Sequence, residues 1–484
     1  MLKAQDLSFS YDGLNPVLDS LEFILNPGEI VGVLGPTGSG KSTLAKILSG
    51  FIPRIIPGEI SGQILFEGIT TSSVPVAEMA KHIALVQQDP EGQICTLQVS
   101  DEVAFGPENY LIEPSLIQET VTDSLHSVGA THLHERPTYA LSGGEKQRVV
   151  IAAMLACQPK YLILDEPSSS LDPNGIVQLR KVLIALKQNN VGILCIEHRL
   201  PTVLPVADRI LELKDGKLSE WQSEQIIQSE PPLSVPFETR DKKPLLSAKD
   251  LCYSFGEQIA VNHASFVAYP SEKIALMGNN GSGKTTLLSM LGGLRKPDSG
   301  LIHIETDSIR NLSSRDIAKN IAMIFQNPNH QIFEKTVWKE QTLNLEVLEL
   351  VSDDSLEDAE QSLKLASLDG IRERNPFSLS HGQKRKLNVT SVVTHSPRIY
   401  LFDEPLIGQD LPGRQFVSEI LRKHAETHGV SVVVTHDSDF AVRNCSRILF
   451  MDNGSIMLDG SPKLVMERLE KMGRSEYAEM EVGK

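Results

Sequence analysis

The pattern GxxxxGK[ST] occurs twice, as GPTGSGKS at 35–42 and as GNNGSGKT at 278–285. Each copy follows an apolar run (EIVGVLG, KIALMG) and precedes a helix-like stretch (STLAKILSG, TTLLSMLGG). Such a loop lets successive backbone N–H groups surround a diphosphate at a helix N-terminus, with the lysine reaching the terminal phosphates and the hydroxyl placed for Mg2+. The two lysines, Lys41 and Lys284, lie 243 residues apart (284 − 41). QQDP and FQNP, LSGGE and LSHGQ, LILDEP and YLFDEP, and IEHR and VTHD each recur at an offset of 238 (403 − 165, for example). The five-residue difference falls between Gly50 and Gly62, where FIPRIIPGEIS stands in place of LRKPDS, so it is one loop insertion. The chain therefore reads as two copies of one domain, 1–228 and 245–484, joined by the proline- and charge-rich linker SEPPLSVPFETRDKKP at 229–244.

Within each copy, buried-strand runs alternate with helical patterns, which predicts an α/β fold: a mainly parallel sheet with its ligand at the strand carboxyl ends. The Leu/Glu-rich stretches at about 100–140 and 338–378 predict a helical subdomain. With 484 residues the chain exceeds one compact core, and 40% hydrophobic and 22% charged residues is an ordinary globular composition. The longest apolar runs, such as VVIAAMLAC at 149–157, fall far short of the roughly 20 residues a spanning helix needs. MLKAQDLSFSYDG lacks a basic start followed by an apolar core, so the expected compartment is the cytoplasm. The five cysteines are scattered without CxxC spacing, which argues against a disulfide framework or a zinc site. HLHE at 132–135 lacks a metal-site context and reads as a solvated loop. A net charge of −16 would repel a phosphate backbone, so no nucleic-acid partner is expected.

The candidate nucleotide-binding residues of the first copy are Gly35, Pro36, Thr37, Gly38, Ser39, Gly40, Lys41, Ser42 and Thr43. Those of the second are Gly278, Asn279, Asn280, Gly281, Ser282, Gly283, Lys284, Thr285 and Thr286. Asp165 and Asp403 end apolar strands, where an unpartnered carboxylate is costly, so a metal-linked role is expected beside Ser42 and Thr285. Glu166 and Glu404 follow directly and suit the orientation of a water attacking the γ-phosphate. Gln88 and Gln326 are candidates for γ-phosphate and Mg2+, and His198 and His436 for the γ-phosphate.

The full motif set resembles two ATP-binding-cassette ATPase domains, over nearly all of the chain. In that family the domains pair head to tail, with each ATP between the phosphate loop of one and the LSGGQ signature of the other. The resemblance implies a first site joining Lys41, Ser42, Gln88, Asp165, Glu166 and His198 to Ser380, Gly382 and Gln383. It implies a second joining Lys284, Thr285, Gln326, Asp403, Glu404 and His436 to Ser142, Gly143 and Gly144. Tyr11 and Phe255 resemble the aromatic residue on which the adenine stacks. The departures are His381 for the first signature glycine, Glu145 for the signature glutamine, and GQD at 408–410 where the first copy has SLD at 170–172. His381 adds bulk beside a phosphate, which either slows turnover at the site holding Lys41 or is a tolerated loop substitution.

QQDPEGQICTLQVSDEVAFGPEN at 87–109 resembles the energy-coupling-factor family of vitamin and metal-ion importers, in which a similar stretch carries the helix facing the transmembrane partner. FQNPNHQIFEKTVWKE at 325–340 matches its first half and then diverges. Two fused cassettes also resemble ATPase subunits for thiamine precursors such as hydroxymethylpyrimidine. The implied function is an ATPase using ATP and Mg2+ and driving transmembrane transport from the cytoplasmic face of the membrane. Its implied partners are transmembrane subunits and a substrate-binding membrane subunit. The alternative is a soluble, ribosome-associated tandem-cassette translation factor, a class that usually joins its domains by a long charged helical linker.

Overall fold

The computed structural model describes residues 1–36, 38–169, 171–197, 200–221 and 243–477. Thr37, His198 and linker residues 229–242 lie outside them. The chain divides into two compact units, Met1–Ile226 and Ile227–Lys484.

In the first unit the phosphate-loop strand Ile30–Leu34 lies inside a six-stranded sheet. Its neighbours are Gly192–Ile196 and Arg209–Lys214, both parallel to it. Tyr161–Asp165 and Ile83–Val86 extend the parallel sheet on one side, and Lys217–Glu220 adds an antiparallel edge on the other. IVGVL, YLILD and GILCI are buried along their whole length. Continuous apolar runs are needed because both faces of a parallel sheet are covered. Tyr161 and Ile163 pack on one face with Val31, Val33 and helix residues Leu44 and Ile47. Leu162 and Leu164 point the other way, into a core containing Val103, Leu125 and Val149. A four-stranded antiparallel sheet built on Leu2–Ser10 covers the first face.

The helical subdomain is present: Val99–Asn109 and Pro114–Ser127 pack beside Gly143–Ala156. The second unit repeats the plan. Lys273–Gly278 sits between Val430–Val434 and Arg447–Asp452, with Ile399–Asp403 and Ile321–Ile324 beyond the former and Ser455–Gly460 at the opposite edge. Its helical subdomain consists of Val337–Val347 and Asp353–Leu365 beside His381–Val393. In both units the phosphate-loop strand and the strand ending in Asp165 or Asp403 flank one common strand, which brings loop and carboxylates to the same carboxyl edge of the sheet.

Candidate nucleotide-hydrolysing sites

Each phosphate loop turns through glycines that no other residue could replace. A Cβ at Gly35 would fall 2.2 Å from the Leu213 carbonyl oxygen, and one at Gly278 would fall 2.1 Å from that of Met451. The helices Lys41–Leu48 and Lys284–Leu291 begin at the left-handed glycines Gly40 (φ 101°) and Gly283 (φ 99°), so neither has a side-chain cap. Their first N–H groups are left for an anion. Lys41 Nζ donates to the carbonyls of Gly35 and Pro36 at 2.7 and 2.9 Å. Lys284 Nζ likewise donates to Gly278 and Asn279 at 2.9 and 2.8 Å. Each ammonium is thus folded over its own loop. The hydroxyls of Ser39 and Ser282 are buried without a hydrogen-bond partner among the described residues.

The two aspartates lie where the loops need them. Asp165 is buried and accepts a hydrogen bond from Ser42, and burial pushes its carboxyl up to about 6 against that bond. Asp403 has the same relation to Thr285, and burial raises its pKa too. In each, Oδ1 is buried without a partner among the described residues. A hydroxyl, one carboxylate with a spare lone pair and a neighbouring phosphate loop fit a hard cation that keeps most of its water, as Mg2+ does. The described residues hold no group of three or more His, Cys, Asp or Glu that would make an all-protein metal cage. In HLHE, His134 Nδ1 instead meets Glu135 Oε1 at 2.6 Å.

Glu166 and Glu404 both adopt left-handed backbone (φ 52° and 49°), a conformation that costs a non-glycine residue about 1–2 kcal/mol. Hydrogen bonds from their N–H groups to the carbonyls of Ile196 and Val434, at 2.9 and 3.1 Å, hold that turn. The sequence motif gave no sign of it. Beyond the backbone the two copies differ. Gln88 Nε2 donates to Glu166 Oε2 at 2.6 Å. Glu404 Oε1 faces His436 Nε2 at 3.1 Å, and burial pushes Glu404 up to about 8, opposed by nearby Lys284.

Ser142 and Ser380 cap the helices that follow them, each in a reciprocal capping box, with Glu145 and Gln383 as the respective partners. Glu145 therefore does the capping work of the glutamine it replaces, and it also pairs with Arg136 at 3.0 Å. Gly143 and Gly144 open the first of these helices and His381 and Gly382 the second. Gln409, which takes the place of Leu171, donates to the Gly382 carbonyl at 3.3 Å. Tyr11 and Phe255 are both about half exposed. The Tyr11 hydroxyl lies 3.0 Å from Thr43 Oγ1, which seats the ring beside the phosphate-loop helix. The Phe255 ring lies under the Arg295 guanidinium, 5.0 Å from its centroid.

Four residues escaped the motif reading. Gln93 and Gln331 brace the turns after Gln88 and Gln326: each accepts from one backbone N–H (Gln87, Phe325) and donates to one carbonyl (Leu85, Met323). Buried Glu102 gathers the N–H groups of Cys95 and Thr96, and buried Glu340 those of Phe333 and Glu334. All four recur at the 238-residue offset, so the repeat itself carried the signal.

Two phosphate loops, each beside a buried aspartate and glutamate at a strand end, define a chain of two nucleotide-hydrolysing cassettes. The chain belongs to the ABC transporter family, whose pattern matches residues 18–169 and 261–407, and it is an ATPase. It is 32% identical over 507 residues to YkoD of Bacillus subtilis, named provisionally as an HMP/thiamine import ATP-binding protein, covering 96% of this chain and 92% of the relative. It is 31% identical over 526 residues to SSO2030 of Saccharolobus solfataricus, named provisionally as an ABC transporter ATP-binding protein, covering 100% and 98%. Among solved structures, a chain from a model of ribosome-bound archaeal Pelota and ABCE1 aligns with a TM-score of 0.67 at 23% identity, covering 93% of this chain and 78% of that one. An RNase-L inhibitor aligns at 0.62 and 21%, covering 94% and 90%. At those identities the likeness shows the tandem-cassette fold alone.

Proposed function

We propose that this chain is the ATP-hydrolysing subunit of an importer of the energy-coupling-factor type, held at the cytoplasmic face of the membrane by transmembrane partners. Its cargo class is a vitamin or vitamin precursor of the thiamine/hydroxymethylpyrimidine kind, or a metal ion, recognised by a separate membrane subunit. The observation that carries this reading is the match over almost its whole length to a relative named for HMP/thiamine import. The region after Gln88 supports it, because Leu97 (73% exposed), Phe105 and Leu111 present apolar side chains on and around the helix Val99–Asn109. Exposed apolar groups on a helix and at its two ends suit a partner surface.

In the reaction, Lys41 and Lys284 exchange loop carbonyls for phosphate oxygens. Ser42 with Asp165, and Thr285 with Asp403, would hold Mg2+, which supplies charge neutralisation on the polyphosphate. Glu166 and Glu404 orient the attacking water, and the ionised carboxylate of either suits accepting its proton. Gln88, hydrogen-bonded to Glu166, links that carboxylate to the segment that leads to Leu97.

Affinity purification of the tagged chain from gently solubilised membranes, followed by mass spectrometry, tests the reading. Small integral membrane proteins should copurify, a substrate-binding subunit among them. Ribosomal proteins without a membrane partner would overturn it in favour of a translation factor.

A further inference from the structure

The second phosphate loop is tied to the far end of the chain. Tyr477 Oη donates to Asn279 Oδ1 at 2.6 Å, across 198 residues of sequence. The backbone carbonyl of the same Asn279 accepts from Lys284 Nζ at 2.8 Å. One loop residue thus joins the tyrosine hydroxyl to the lysine that must meet the phosphates.

The tyrosine is itself firmly anchored. It is fully buried, with its ring edge-on to Phe450 at a centroid distance of 5.0 Å. It follows the helix Pro462–Lys471, whose Val465, Met466 and Leu469 share a core with Ala275 and Met277 of the phosphate-loop strand. Arg474 donates to Asp452 Oδ2 at 2.7 Å and fixes the turn between that helix and the tyrosine. The strand that enters the loop and the segment that braces it therefore belong to one packed body. In the first cassette the position of Asn279 is taken by Pro36, which has no side-chain acceptor.

We propose that Tyr477 is a positioning residue for the second ATP site and has no counterpart role at the first: its hydroxyl fixes Asn279 and so preorganises the loop around Lys284 for the polyphosphate. The inference rests on the second loop binding ATP. A loop already held in its binding shape loses less freedom when the ligand arrives.

The test uses the full chain carrying Lys41→Ala, which reports the second site, titrated with a ribose-labelled fluorescent ATP analogue and Mg2+. Tyr477→Phe keeps the ring against Phe450 and removes only the hydroxyl. It should weaken binding about fivefold, the scale of one neutral hydrogen bond, and lower the melting temperature by no more than about 2–4 °C, the scale of the same bond in a unit of this size. Asn279→Ala added to Tyr477→Phe should cost little more than either change alone. In a Lys284→Ala chain, Tyr477→Phe should leave the affinity of the first site as it was. Unaltered binding at the second site or an equal loss at both sites would overturn the role. If the Lys41→Ala parent binds no analogue, the nucleotide reading of the second loop fails, and this role with it.

Discussion

At the scale of single residues, the two cassettes solve one problem with different side chains. Arg385 is fully buried; its guanidinium donates to the carbonyls of Phe325, at 2.5 Å, and Gln326. Burial pulls its pKa down to about 10, against the attraction of Asp403 and Glu404. At the same place in the repeat stands Gln147, equally buried, with both amide atoms lacking a partner among the described residues. Arg385→Gln should therefore destabilise the second unit by about 1–3 kcal/mol, the cost of leaving buried carbonyls unmet, read as a lower calorimetric transition. Gln147→Ala should cost less, because it breaks no hydrogen bond among the described residues. Glu166→Gln and Glu404→Gln should each lower steady-state ATP turnover, by about 10²–10⁴-fold for the site affected. A loss from one substitution and none from the other would show that a single site carries the turnover.

At the scale of elements, the long-range ties explain which features were legible in advance. The phosphate loops, the aspartate-ended strands and the helical subdomains stood out because each is a local pattern with one backbone solution. The left-handed turns at Glu166 and Glu404, the brace from Tyr477 to Asn279 and the exchange of Gln147 for Arg385 did not. They depend on partners brought together only by sheet topology. Packing of this kind also sets a pH response. On the helix Leu411–Glu426, His424 stacks on Tyr400 at 3.4 Å and bonds to Ser431 Oγ and the Pro397 carbonyl. Burial pulls its pKa down to about 4 from 6.5, so the unfolded chain binds the extra proton between those values. The stability His424 contributes is complete above about pH 6.5 and is lost as the pH falls toward 4. Denaturant midpoints measured from pH 7 to pH 4 should fall for the parent. They should fall less steeply for His424→Gln; parallel curves would refute the assignment.

At the scale of the whole molecule, the repeat at 238 residues predicted two cassettes before any element was placed, and the structure gives each its own core and its own phosphate loop. What the repeat could not convey is how far the copies have diverged around equivalent atoms. Gln88 donates to Glu166 and His436 faces Glu404, while Pro36 and Asn279 give the loops different support. Both sites should bind ATP despite these differences. In calorimetric titration of the full chain with Mg2+ and a non-hydrolysable ATP analogue, two equivalents should bind per chain, and one after either Lys41→Ala or Lys284→Ala; a single equivalent for the parent, abolished by one lysine substitution and untouched by the other, would rule out binding at both.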